Sequence, residues 1–155
     1  MNALRPPSAL QQGAQAFLAR YDGLKSGLPG DKALRAEAAD LFRAGGLPGP
    51  REEAWRYTFL RPLAEVEFHP PSHRVADCAA LLARLPAIDA PRLIFVDGRY
   101  RADLSAPSAQ MMLATGAPAL GPLAHPAQDK LVALNTMLAE DGAAITVPAG
   151  VDAGT

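Results

Sequence analysis

Three side chains of metal-binding type stand close together in mid-chain: His69, His73 and Cys78, with three and then four residues between them. Imidazole and thiolate at short spacing are the donors of a zinc site. This set lacks a fourth close ligand and straddles the proline-rich stretch HPPSHR. The expectation is therefore two surface histidines and a buried thiol, with no metal ligand assigned. His125 precedes Pro126 and suits a helix end better than a general base. Cys78 falls on the apolar face of an expected helix, where a thiol is inert, and no serine occupies a G-x-S-x-G turn. The glycines of AGGLPGP are followed by no G-K-[ST] and preceded by no strand, so they form no phosphate loop. Asp40, Glu52 and Glu53 are carboxylates of the kind helix surfaces carry routinely, and Asn135 sits beside an apolar stripe. No catalytic, cofactor-binding or metal residue is assigned, and no enzyme is expected.

The elements that would position these residues alternate in type. Ser8 is a candidate N-cap, after which Leu10, Ala14, Phe17, Leu18, Tyr21 and Leu24 recur at helical spacing. GLPG breaks that helix. Asp31 caps the next, whose stripe is Leu34, Ala38, Leu41 and Phe42, with Gly45 and Gly46 as its stop. In REEAWRYTFLRPL, Pro50 suits a helical first turn, and Glu52 and Glu53 suit the positive end of its dipole. Glu52 can pair with Arg56 one turn on. A short helix is expected there, with Trp55, the chain's one tryptophan, turned inward as a plug. Arg61-Pro62 then biases the chain toward an extended exit.

Beyond the HPPSHR linker, residues 77–85 read as a helix with Cys78, Leu81, Leu82 and Leu85 inward. LIFV, residues 93–96, is apolar on both faces, as a covered strand would be. Asp97-Gly98 is a strong hairpin signal, and the returning strand alternates through Tyr100, Ala102 and Leu104. Met111 to Leu113 suggests a short strand. A helix is expected over about 127–140, burying Leu131, Leu134 and Leu138, followed by a strand at 143–147. The fold class is α+β. Its organisation is a helical subdomain at 1–68, a helix with a β-hairpin at 69–126, and a helix with a first strand at 127–155.

Composition bounds the partners. The chain has 155 residues, enough to bury a core, and 49% are hydrophobic although only 6% are aromatic. Twelve of the fifteen basic residues are arginine, and Ala, Arg, Gly and Pro are enriched together, so the prolines carry little functional information. The net charge of −1, with acids and bases interspersed, makes no case for nucleic acid or an anionic membrane. A single cysteine permits no internal disulfide and fits a reducing compartment. No run reaches membrane-spanning length, and the first residues lack the apolar core of a signal peptide. A cytoplasmic protein is expected.

GLPGPREEAWRYTFLRPL, residues 46–63, resembles the N-terminal signature of the SufD branch of the SufB/SufD family, part of the bacterial iron–sulfur cluster assembly machinery. Leu47, Pro48, Trp55, Arg56, Tyr57, Thr58 and Leu63 match its pattern of a Gly-Leu-Pro turn, a charged spacer, Trp-[Lys/Arg]-Tyr-Thr and a leucine-rich exit. PRLIFVDGRYRADLS, residues 91–105, and LVALNTMLAEDGAAITVPAGV, residues 131–151, agree in order. The resemblance implies a helical N-terminal region leading into a right-handed parallel β-helix that is cut short here, so that strand 143–147 would seek another partner. That partner is expected to be the 93–104 hairpin or a second molecule, giving strand-mediated self-association. It also implies SufB and SufC as partners, with the family's cluster-related positions lying in later parts of the β-helix. No cofactor is implied for this part, and the iron–sulfur cluster belongs to the full assembly.

Three functions follow from these readings. The leading one is a non-catalytic scaffold component of a SufBCD-type complex. The alternative is a self-standing α+β module that binds a protein through the Trp55 helix. A third, from another class, is a small hydrolase or metal enzyme using His69, His73 and Cys78.

Overall fold

Ser8 starts the first helix as its sequence requires. In the computed structural model, which describes residues 8–69, 78–86, 89–116 and 123–153, helix α1 spans Ala9–Leu24. The Ser8 hydroxyl accepts the Gln11 N–H while the Gln11 side chain accepts the Ser8 N–H, a reciprocal capping box. Asp31 caps α2, Lys32–Gly45, by accepting the N–H groups of Ala33 and Leu34 at 2.8 and 3.3 Å. Gly46, at φ 66°, ends it in a conformation that favours glycine. The chain folds as two units, residues 1–68 with 119–139, and residues 69–118 with 140–155. The segment 127–155 divides between them, its helix in the first and its strand in the second.

In the first unit α1 and α2 pack with α5, Lys130–Leu138, which Asp129 caps through the N–H groups of Leu131 and Val132. Ala14, Tyr21, Leu28, Ala38, Ala39, Phe42, Leu47, Ala133 and Met137 form the core. Alanines on facing turns of α2 and α5 let the helices approach closely, and Phe42 and Met137 fill what remains. The leucines at 131, 134 and 138, expected to be buried, are only half-buried and flank this core. The deep positions of α5 are Ala133, Thr136 and Met137. A short α3, Arg61–Glu65, crosses α1 where a side chain on Gly13 would meet Ala64 at 2.7 Å.

One buried position of α2 departs from the expected stripe. Arg35 is 1% exposed. Its guanidinium donates to the carbonyls of Pro29 (2.8 Å), Thr136 (3.0 Å), Met137 (3.3 Å) and Ala139 (2.6 Å). These include the carbonyls that end α5, which have no intrahelical partner and lie at the negative end of its dipole. The arginine thus performs a capping role from another helix.

The Trp55 segment differs from its expectation in four respects. The helix is a single 3-10 turn, Glu53–Trp55. Trp55 is half-buried and outside the core, because one turn is too short to present a sealed face; Leu47 and Pro48 of the preceding turn are buried instead. Glu52 does not pair with Arg56. It accepts from Gly49 N–H and Lys130 Nζ, while the Arg56 guanidinium lies 5.6 Å from the Tyr57 ring centroid. Arg61-Pro62 opens α3 rather than an extended exit, since proline in a first turn forgoes no hydrogen bond.

In the second unit α4 is Cys78–Leu82. Cys78 is buried and Leu82 half-buried, but Leu81 and Leu85 are 56% and 61% exposed, so the expected four-residue inward face is not made. Asp77 lies outside the described residues. Strands β1, Phe95–Val96, and β2, Arg99–Tyr100, form the expected hairpin around Asp97 (φ 49°) and Gly98 (φ 75°). Both central residues have positive φ, as the tight two-residue turn that matches strand twist requires. The 93–96 stretch is half-exposed rather than covered, because a two-stranded sheet has nothing packed on both faces. The return strand gives way to a 3-10 turn at Ala102–Leu104.

Strand β4, Ala143–Thr146, pairs antiparallel with β3, Met112–Thr115, in the register Met112↔Thr146 to Thr115↔Ala143. The hairpin is therefore not its partner within the chain. The Asp141-Gly142 turn explains the choice. One Asp141 carboxylate oxygen accepts the N–H of Gly116 (3.1 Å), just past β3, and of Gly142 (2.7 Å), and the other accepts that of Tyr100 (2.8 Å). The carboxylate holds the end of β3 at the start of β4 and ties both to the hairpin. The architecture is α+β, with five helices and two small antiparallel sheets among the described residues. No parallel strand pairing occurs among them.

Candidate binding cavity

The Trp55 turn borders a cavity of about 680 Å³ in the first unit. Three segments wall it. The C-terminal half of α2 gives Leu41, Ala44 and Gly45; the 3-10 turn gives Glu53, Ala54 and Trp55 beside Glu52; the turn into α5 gives Pro126 through Lys130, with Ala133 beyond. The size falls within the range of small-ligand sites. Local sequence explains each wall. The loop 46–50 ends α2 and turns the chain so that Trp55 comes back beside it. The Asp129 cap fixes where α5 begins, and with it Lys130.

Charge in the cavity is mostly acidic and mostly partnered. Lys130 Nζ donates to Glu52 Oε1 at 2.8 Å, and the Gly49 N–H donates to the same oxygen at 2.9 Å. The Lys130 hydrogen bond, then that of Gly49, hold the Glu52 carboxyl below the usual carboxylate range against a smaller opposing effect of burial. Asp129 is engaged with backbone N–H groups. Glu53 is exposed and has no ion pair among the described residues.

The residues weighed for chemistry do not converge. His69 is exposed and Cys78 is buried, while His73 lies outside the described residues. Among the described residues no group of three or more His, Cys, Asp or Glu side chains is arranged to hold a metal ion. His125 is exposed, its carbonyl accepting the Gln128 N–H in the turn before α5. Asp40 pairs with Arg43 on the surface of α2. Asn135 is exposed on α5, its carbonyl accepting the Ala139 N–H. Sequence reasoning found Trp55, Glu52 and Glu53 but not their meeting with Lys130. The one signal for it was an Asp129 cap immediately before a lysine. Among the described residues no helix is long and apolar enough to cross a membrane.

The turn and helix forming the third wall lie within a stretch that matches a protein-family model. Residues 117–154 match the SufBD protein N-terminal region. The match supports the SufB/SufD family, to which the resemblance of residues 131–151 also points. It takes in α5, the Asp141 turn and β4, whereas the Trp55 segment and the hairpin lie outside it. No curated protein matches the chain. The cavity is thus walled on one side by the family-matched stretch and on another by the Trp55 segment, which lies outside the match.

Proposed function

We propose that this protein is a non-catalytic scaffold component of a SufBCD-type iron–sulfur cluster assembly complex in the cytoplasm, corresponding to the N-terminal region of a SufD-like chain. The match of residues 117–154 to the SufBD N-terminal region carries this reading. The Trp55 motif favours the SufD branch over SufB. SufB and SufC are the partners it implies, and β4 would be the lead-in to a parallel β-helix. On this reading the chain holds no stoichiometric iron, zinc or cluster of its own, since clusters are held by several thiolates and it has one cysteine. The tagged protein purified from its own cells is expected to bring down SufB and SufC, and recovery without either overturns the proposal.

A second reading, a self-standing module that binds a protein through the Trp55 segment, draws on a different observation. Tyr57 and Phe59, just past the cavity, are 82% and 80% exposed. Large aromatics left in solvent are frequent anchors of protein interfaces. Recovery of the tagged protein with a partner other than SufB and SufC, lost on Tyr57→Ala with Phe59→Ala, would favour this reading.

A further inference from the structure

We propose that the Trp55 cavity receives a basic side chain, arginine by preference, from a protein partner. Two independent features point to a cation. The first is the wall itself: Trp55 is half-buried at the cavity, and tryptophan is the best of the aromatic faces for a guanidinium or ammonium group. The second is the charge balance. Glu52, Glu53 and Asp129 line the cavity against Lys130 and the positive N-terminal end of α5. The Glu52–Lys130 ion pair and the Asp129 cap use two of the carboxylates. Glu53 stays without an ion pair among the described residues, on the same 3-10 turn as Trp55.

Arg56, the residue after Trp55, is engaged over the Tyr57 ring. Apart from Gln128, the lining around Trp55 and the charged groups is alanine, leucine, proline and glycine, suited to the methylene stem of a long basic residue. An arginine entering here would lay its stem along Ala44, Ala54 and Ala127 and present its planar head to Trp55 and Glu53. Arginine exceeds lysine because its guanidinium is more weakly hydrated and both stacks and forks.

Trp55 is the chain's one tryptophan, so its fluorescence reports on this cavity directly. The probe is a capped pentapeptide with one central arginine, compared with the same peptide carrying citrulline, which keeps the shape and removes the charge. Saturable quenching or shift of emission is expected with the arginine peptide, with affinity at least several-fold weaker for citrulline. Glu53→Gln, at an exposed position that folding does not use, is expected to weaken the arginine peptide by about 2–5-fold, the scale of one exposed charge contact. Equal affinity for the two peptides, an unchanged affinity in Glu53→Gln, or no saturable change in emission would each overturn the proposal.

Discussion

The Arg35 guanidinium donates to the Ala139 carbonyl at 2.6 Å across 104 residues of sequence, joining the second helix to the end of α5. It does so from a fully buried position and also serves the Thr136 and Met137 carbonyls. Arg35→Met should strand these carbonyls without water and lower stability by about 3 kcal/mol or more, several buried acceptors each costing about 1–3. Arg35→Lys should fall between the two, since an ammonium cannot reproduce the fork. Urea denaturation measures both, and a loss under about 0.5 kcal/mol for Arg35→Met would contradict the capping role.

Trp55 and Phe42 should respond differently to truncation. Phe42 is fully buried between α2 and its neighbours, and Phe42→Ala is expected to cost about 3–5 kcal/mol. Trp55 only borders an open cavity, so Trp55→Ala should cost about 1 kcal/mol, nearer the level of a surface change. Equal losses in the same denaturant titration would place Trp55 in the core after all.

Two glycines of α1 make an internal control. A methyl group on Gly13 would sit 2.7 Å from the Cα and Cβ of Ala64, so Gly13→Ala should push α3 away and destabilise by about 1–3 kcal/mol. Gly23 meets nothing within 4 Å, and Gly23→Ala should stabilise by up to about 1 kcal/mol through helix propensity. Thermal melts of the two variants should move in opposite directions.

The Asp141 carboxyl provides a pH signature in the second unit. Burial pushes its pKa up, but the N–H groups of Tyr100, Gly142 and Gly116, with the Arg99 guanidinium, more than offset this and hold it below the ordinary value of 3.8. A depressed folded pKa means the carboxylate binds fewer protons when folded. Its stabilisation is therefore fully present above the unfolded value and is lost as pH falls through the folded one. Asp141→Asn should destabilise at neutral pH, and its difference from the native protein should shrink below about pH 3.8. A difference independent of pH would show that charge at this position is immaterial.

Much of the local structure was legible because its causes are local. Ser8, Asp31 and Asp97-Gly98 act on backbone groups a few residues away, and the caps and hairpin turn stand where those residues put them. The apolar spacing of α1 and α2 likewise reports which side faces inward, without saying what it faces. Tertiary structure decided the rest. An arginine in a helical stripe is indistinguishable from a solvated one until the carbonyls of α5 arrive beside it. Trp55 was expected inside because it is large and apolar, yet one 3-10 turn cannot seal it and the cavity beside α5 leaves it half-covered. The partner of β4 was likewise undetermined, since its own sequence fits any open edge. Asp141 settled it by binding N–H groups 41 and 25 residues upstream, a long-range closure that no spacing within the strand encodes.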